Sequence, residues 1–114
     1  MKLWIDDIRP APEGYDWCKS VNEAVDVIEC IEKEKRFVCL GGTIATLSIR
    51  TTVELIDIDH DLGDYAYDGG DGVKLLDWFE ETGRNYPIRI HSANPVGVEN
   101  MRRIIERNGW KEIK

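Results

Sequence analysis

Apolar and polar positions along the chain alternate in blocks that predict strands separated by helices. Apolar runs lie at residues 2–5, 53–58 and 87–90, and polar residues follow each run directly. Elsewhere, as in residues 21–34, apolar residues recur at intervals of three and four, a spacing that is typical of amphipathic helices. Strands that alternate with helices usually pair in parallel, so the pattern predicts a doubly wound parallel α/β sheet.

Residues with capping chemistry stand at the predicted helix starts. Ser20 and Glu23 have the spacing of a capping box ahead of residues 21–34, because the serine hydroxyl can accept from the third amide while the glutamate reaches back. Asp71 is placed to cap a second helix, and Asn94, which precedes a proline, to cap a third. These residues indicate where each helix begins.

Three further segments have shorter patterns. Residues 15–19 are expected to form a second strand and residues 110–113 a terminal one. Residues 37–40 and 43–49 are rich in apolar and β-branched residues and flank two glycines, which favours a hairpin. We therefore expect an inserted β-hairpin around residues 36–52.

Length, charge and composition indicate one acidic globular domain. The 114 residues fit a single domain, residues 1–114, and the formal net charge is −7. A negative surface repels phosphate backbones, so extended nucleic-acid binding is not expected. A small phosphorylated ligand is compatible with this charge where a metal ion or a helix N-terminus offsets the carboxylates. The tryptophans are expected in the core; they are Trp4, Trp17, Trp78 and Trp110.

Cysteine usage and hydropathy predict the compartment. The three cysteines are widely spaced and form no CxxC pair, which favours buried free thiols in a reducing compartment over a zinc site. The sequence has neither a signal-peptide pattern nor an apolar stretch near the ~18 residues of a membrane span. We therefore expect a cytoplasmic protein without membrane association.

Polar clusters follow three of the predicted strands. In open α/β sheets, ligands bind outside the carboxyl ends of the strands, so these clusters are expected to meet at one edge. Both histidines of the chain lie in them. The clusters consist of Asp6 and Asp7, of Asp59, His60 and Asp61, and of His91, Ser92 and Asn94.

The carboxylates of these clusters predict a site for a hard cation. Adjacent Asp6 and Asp7, with Asp59 beside them, offer the oxygen ligands that Mg²⁺ prefers, and Mn²⁺ accepts the same set. These three residues are the predicted metal ligands. Asp61 is expected only to cap the turn at Gly63.

The remaining polar residues predict acid–base and anion-binding chemistry. His60 and His91 suit general acid–base work, because an unperturbed imidazole titrates near pH ~6.5. Ser92 and Asn94 precede a helix N-terminus, which favours an anion such as phosphate. Arg9 can pair with phosphate or with the local carboxylates.

Three motifs in combination resemble a known family. LWIDDIRP, DIDHDLG and IHSANPVG are similar to the divergent cyclic-phosphate-processing family of receiver-like domains, which is related to response-regulator receivers. The order of Asp6-Asp7, Asp59, Asp71-Gly72 and Ser92 resembles that of a response-regulator receiver domain over nearly the whole chain. The receiver resemblance implies a receiver-like (flavodoxin-like) fold with Mg²⁺ on the acidic pair and a phosphoryl group that is accepted by Asp59 and contacted by Ser92. The resemblance to the cyclic-phosphate-processing family implies a role in handling cyclic phosphate groups.

Two functional hypotheses follow, and they belong to different classes. The first is a metal-assisted phosphoesterase with Asp59, His60 and His91 as catalytic residues, which acts on a small phosphorylated ligand or a cyclic phosphate end. The second is a stand-alone receiver or signalling module that is phosphorylated on Asp59 and binds a protein partner through its last helix and strand. A third hypothesis is a degenerate receiver that only binds protein. The many ionisable groups argue against it, because clustered carboxylates cost stability unless a cation or proton relieves their repulsion.

Overall fold

The computed structural model describes residues 1–41 and 52–114. Within these ranges the predicted alternation of strands and helices is confirmed. The elements in chain order are β1 (Lys2–Ile5), β2 (Tyr15–Cys18), α1 (Val21–Gly41), β3 (Leu55–Ile58), a 3₁₀ turn (Gly63–Tyr67), α2 (Val73–Thr82), β4 (Ile88–Ile90) and α3 (Pro95–Asn108).

The strands of the described chain form one parallel sheet in the order β2-β1-β3-β4. Trp4 of β1 lies opposite Trp17 of β2 on one side and Asp57 of β3 on the other. The chain runs from β1 to β2 and then crosses over β1 to reach β3. The next strands in the chain therefore lie on opposite sides of β1. Such a switch point opens a crevice at the carboxyl ends of the strands, and this order is that of a receiver-like α/β fold.

In the described ranges the helices all pack on one face of the sheet. Crossovers between parallel strands are almost always right-handed, and α1 and α2 carry the chain in the same direction, so they lie on the same side. The β1–β2 connection runs the other way and would place a helix on the opposite face. Its residues 6–14 form no helix, because Pro10, Pro12 and Gly14 interrupt it.

A single apolar cluster joins the sheet to these helices. Burying a large apolar side chain contributes about 1.5–3 kcal/mol, so this layer accounts for most of the stability. Its fully buried members include Leu3 and Ile5 of β1, Ile56 and Ile58 of β3, Ile88 of β4, Ile28 of α1, Leu75, Leu76 and Phe79 of α2, and Met101 of α3. The packing fixes the strand ends that carry the polar residues.

The predicted hairpin is wrong for its first strand. Residues 37–40 continue α1, which extends to Gly41 instead of ending near residue 34. Residues 43–49, the predicted second strand, lie outside the described residues. The predicted terminal strand, residues 110–113, is reduced to one isolated bridge between Ile88 and Glu112.

Two of the predicted helix caps are confirmed and one is wrong. The Ser20 hydroxyl accepts a hydrogen bond from the amide of Glu23 at 3.1 Å, and the Asn94 side chain caps α3. Asp71 does not cap α2; its Oδ1 accepts from the amide of Leu62 at 3.0 Å. Asp71 therefore closes the loop between β3 and α2.

The described cysteines are free thiols in different environments. Of the two cysteines whose side chains the structure describes, Cys18 is buried and Cys30 is exposed, so the expectation of buried thiols holds for the first and fails for the second. Burial raises the pKa of the Cys18 thiol to about 12, which keeps it protonated and unreactive. None of the described helices has the length and apolarity needed to cross a membrane.

Candidate active site

Acidic and imidazole side chains from three strands converge at the carboxyl edge of the sheet. Asp6 follows β1, Asp59 follows β3 and His91 follows β4. Their ligand atoms all lie within 4.8 Å of one another. Asp6 and Asp59 are only 1% and 9% exposed. Because parallel strands end at a common edge, residues far apart in the sequence meet here.

The loop after β1 holds Asp6 in one orientation. Its Oδ1 accepts hydrogen bonds from the backbone amides of Ile8 and Arg9, both at 2.9 Å. Its Oδ2 lies 3.0 Å from Nε2 of His91. Amide bonds to a carboxylate are charge-assisted and strong, so Oδ1 is fixed and Oδ2 is the oxygen that faces the site.

His91 lies between two carboxylates. Its Nδ1 is 2.7 Å from Oδ1 of Asp57, and its Nε2 faces Asp6. The ring stacks on the indole of Trp4, with 3.8 Å between ring centroids and 4° between planes. A neutral imidazole has one donor nitrogen and an imidazolium two. A neutral His91 can therefore donate to only one of the two carboxylates. The second contact is also a hydrogen bond when one more proton is present, either on His91 or on one of the two carboxyl groups.

Asp57 is a site residue that sequence analysis missed. Its side chain lies within β3, is 1% exposed, and accepts from the Tyr15 hydroxyl at 3.1 Å. Burial and this hydrogen bond raise the pKa of Tyr15, so the hydroxyl stays protonated and keeps donating. The available signal was a charged residue between two isoleucines of an apolar run, since a buried charge requires partners.

Replacing Asp57 with asparagine is expected to lower the free energy of unfolding by about 1–3 kcal/mol. The amide offers one acceptor atom where two oxygens now accept from His91 and Tyr15, so one buried donor loses its partner. Urea unfolding followed by circular dichroism measures the change. Asp77→Asn is the control, because Asp77 is 41% exposed and pairs with Lys74 at 3.7 Å, a surface contact of small value. Equal losses in both variants would speak against this account of Asp57.

Asp7 lies in an open cleft of about 270 Å³ beside the converging residues. Partial burial, with added repulsion from Asp6, Asp59 and Asp64, raises the pKa of Asp7. Gly63 has a φ of +49°, and a Cβ there would collide with the Asp7 carboxylate. The cleft is lined by Asp6, Asp7, Ile8, Arg9, Asp59, Asp61 and Gly63. A divalent cation in this cleft would offset the repulsion among its carboxylates.

His60 belongs to a second cluster. Its Nδ1 lies 2.8 Å from Oδ1 of Asp61, and its ring packs on Gly97 of α3, where a Cβ would collide with it. A carboxylate can only accept, so in neutral His60 the proton is on Nδ1 and Nε2 is the acceptor. Ligand atoms of His60, Asp61 and Asp71 lie within 4.8 Å of one another. The two histidines therefore occupy different clusters at the same edge.

Asp61 does more than cap a turn, so the expectation for this residue is wrong. Its carboxylate accepts from Nδ2 of Asn94 at 3.2 and 3.3 Å in addition to its contact with His60. These hydrogen bonds, His60 first, lower the pKa of Asp61. Because Asp61 also lines the cleft, it connects the two clusters.

The predicted phosphate-binding residues lie close to these clusters. Asn94 Oδ1 accepts from the amide of Gly97 at 3.1 Å. The Ser92 hydroxyl accepts from the amide of Asn94 at 3.1 Å, and its own proton remains for a ligand. Arg9 is exposed, and its Nη1 donates to the carbonyl of His91 at 3.2 Å. In the described ranges Arg9 forms no ion pair.

The family model of the cyclic-phosphate processing receiver domain matches residues 1–107 of this chain. The chain belongs to this family. The match includes every strand and most of the last helix, together with Asp6, Asp59 and His91. No curated protein and no solved structure is significantly similar to the chain.

The site of this cyclic-phosphate processing receiver domain combines two kinds of chemistry. The carboxylates of Asp6, Asp7 and Asp59 provide hard oxygen ligands. His60 provides a proton acceptor, and the Ser92 hydroxyl a hydrogen-bond donor, at the same edge of the sheet. Metal binding and proton transfer are thus possible at one edge of the sheet.

Proposed function

We propose that this protein is a metal-assisted phosphoesterase that opens cyclic phosphate esters. The observation that carries the proposal is the convergence of Asp6, Asp59 and His91 within 4.8 Å, in a chain of the cyclic-phosphate processing receiver family. The substrate class is a small cyclic phosphate diester, either free or at the end of a longer molecule.

The donor set fits Mg²⁺ or Mn²⁺. Asp6, Asp7 and Asp59 offer carboxylate oxygens around one cleft, and Nε2 of His91 is a nitrogen donor within reach, which suits Mn²⁺ better than Mg²⁺. A bound cation would polarise the phosphoryl oxygens and lower the pKa of a water molecule. The raised pKa of Asp7 supports this assignment, since a cation would favour the ionised carboxylate.

The residues around the cleft can hold the phosphate. The Ser92 hydroxyl has its proton available to donate to a phosphoryl oxygen, because its Oγ already accepts from Asn94. Arg9 lines the cleft and can supply charge-assisted hydrogen bonds to an anion. Asn94 has a positioning role, because it caps α3 and holds Asp61 at the same time.

His60 is assigned the proton transfers. Asp61 fixes its Nδ1, so Nε2 is the nitrogen that gains and loses a proton. This arrangement follows the general logic of a histidine oriented by a carboxylate. His91, whose nitrogens both face carboxylates, keeps Asp6 in place beside the cleft. His91 is thus assigned to holding the metal-binding carboxylate rather than to proton transfer.

Ring opening then requires one displacement at phosphorus. A water molecule loses a proton and its oxygen forms a new bond to phosphorus. One ring P–O bond breaks, and the leaving alkoxide takes up a proton to become a hydroxyl group. The product is a phosphate monoester, and His60 can return to neutrality after accepting one proton and donating one.

The test is turnover of 2′,3′-cyclic and 3′,5′-cyclic nucleotides with Mg²⁺, Mn²⁺ or EDTA, followed by chromatography. We expect monoester to form with Mg²⁺ or Mn²⁺, and none with EDTA. Turnover that survives EDTA would remove the metal from the proposal. The absence of turnover with every substrate and metal would contradict the proposed activity.

The same protein samples separate this proposal from a phosphorylated receiver. A receiver phosphorylated on Asp59 would form an adduct with a phosphate mimic in the presence of Mg²⁺, and Asp59→Asn would not. A phosphate-mimic adduct that forms without turnover of any cyclic phosphate would favour the hypothesis of a phosphorylated receiver.

A further inference from the structure

The face of the sheet opposite the helices carries a patch of aromatic and cationic side chains. Along β1 and β2, residues alternate between the two faces, so Lys2, Trp4, Tyr15 and Trp17 point away from the core. Lys2 pairs with Tyr15, and Trp4 with Trp17, in the strand register. Arg89 of β4 extends the patch. We call these five residues the open face.

The composition of the open face departs from that of a protein core. Trp78 and Trp110 pack against the core as expected, whereas Trp4 and Trp17 do not belong to it. Trp4, Tyr15 and Trp17 are half-buried, and Lys2 and Arg89 are exposed. In the described ranges no helix covers these rings. The rings therefore leave apolar surface accessible to a ligand.

Positive charge is concentrated at these rings although the chain is acidic overall. The Lys2 ammonium lies 5.7 Å from the ring centroid of Tyr15, and the Lys19 ammonium 4.6 Å from that of Trp17. Asp57, which lies between Trp4 and Arg89 in the strand register, is buried; it accepts from Tyr15 and lies 4.0 Å from Nη1 of Arg89, so it offsets part of the Arg89 charge. The face thus presents cations and aromatic rings together, in a chain with a net charge of −7.

The open face is continuous with the candidate active site. Trp4 stacks on His91, and the Trp17 indole N–H donates to the carbonyl of Asp6 at 2.6 Å. His91 and Asp6 both belong to the convergent cluster. A ligand that lies on the open face therefore ends beside the carboxylates.

We propose that the open face binds one or two unpaired nucleotides at an end of a single nucleic-acid strand. Bases stack on aromatic side chains, and lysine and arginine neutralise the phosphates. A second copy of this chain is a poorer fit, because lysine is depleted in protein interfaces and self-docking would bring the cations of two copies together. This inference goes beyond ring opening and does not require it.

The test uses a fluorescein-labelled RNA tetranucleotide with an ordinary 3′-hydroxyl, titrated with the full chain in EDTA at low salt. Anisotropy is expected to report a dissociation constant on the order of 0.1 mM. Trp17→Leu is expected to weaken binding about tenfold or more, and Lys2→Glu several-fold. The matched controls Trp78→Leu and Lys33→Glu lie outside the open face and are expected to bind as the wild type does.

Several outcomes would overturn the proposal. One is no binding by the wild type up to millimolar protein. Another is that both Lys2→Glu and a folded Trp17→Leu bind the RNA as tightly as the wild type does. Lys2 is exposed, so its substitution is not expected to disturb folding. A concentration-dependent dimer that Lys2→Glu disrupts would assign the face to a second copy. Since the probe has no cyclic phosphate and metal is absent, the result is independent of ring opening.

Discussion

Asp59→Asn is expected to slow ring opening to about one-thousandth of the wild-type rate. The substitution keeps the volume of the side chain and removes its charge. Asp59 lies in the cleft with Asp6 and Asp7, so the variant would bind the cation more weakly and stabilise less charge in the transition state. Initial rates at saturating Mn²⁺ measure the effect.

The control for this variant is Asp26→Asn, an exposed position on α1 that does not line the cleft. It removes the same charge and is expected to leave the rate unchanged. Because Asp59 is near a set of repelling carboxylates, the folded state of Asp59→Asn is expected to be at least as stable as the wild type. A rate within a few-fold of wild type in Asp59→Asn would exclude Asp59 from catalysis.

His60→Ala is expected to reduce kcat by about 100- to 10,000-fold with little change in KM. Asp61 orients the ring through Nδ1, and the cation and phosphate sites are formed by other residues. The substitution also leaves space next to Gly97, where the ring now packs. Added imidazole is therefore expected to restore part of the rate.

His91→Ala gives the comparison that separates the two histidines. His91 contacts Asp6 and Asp57 through both nitrogens, so its loss is expected to weaken metal binding and stability, and imidazole is not expected to rescue it as a proton carrier. Rescue of His91→Ala but not of His60→Ala would reverse the assigned roles. Full activity of a variant that lacks both rings would exclude both from the mechanism.

The sequence predicted the parallel sheet because each strand has a strong local signal. A short apolar run that ends in aspartate or histidine marks β1, β3 and β4. Residues 37–40 show where such signals become ambiguous. A short apolar run fits either a strand or a buried helix turn, and here the helix that began at Val21 continues through it. Continuation of an established helix outweighs weak residue propensities.

Much of the candidate site was also predictable, because topology brings strand ends together. Asp6 and Asp59 meet as expected, and His91 joins them. His60 does not, since adjacent residues near a strand end diverge. Asp57 was missed because its partners, Tyr15 and His91, are distant in the sequence. Only the three-dimensional register shows that they meet.

We propose above all that the cleft hydrolyses a cyclic phosphate. The most direct measurement is ³¹P NMR of a 2′,3′-cyclic nucleotide incubated with the protein and Mn²⁺ in a mixture of ordinary and ¹⁸O-labelled water, with EDTA added before the spectrum is recorded. The account predicts a single monoester product whose phosphorus carries one oxygen from water, formed by wild type and not by Asp59→Asn. A cyclic phosphate that remains intact, or a product without solvent oxygen, would contradict it.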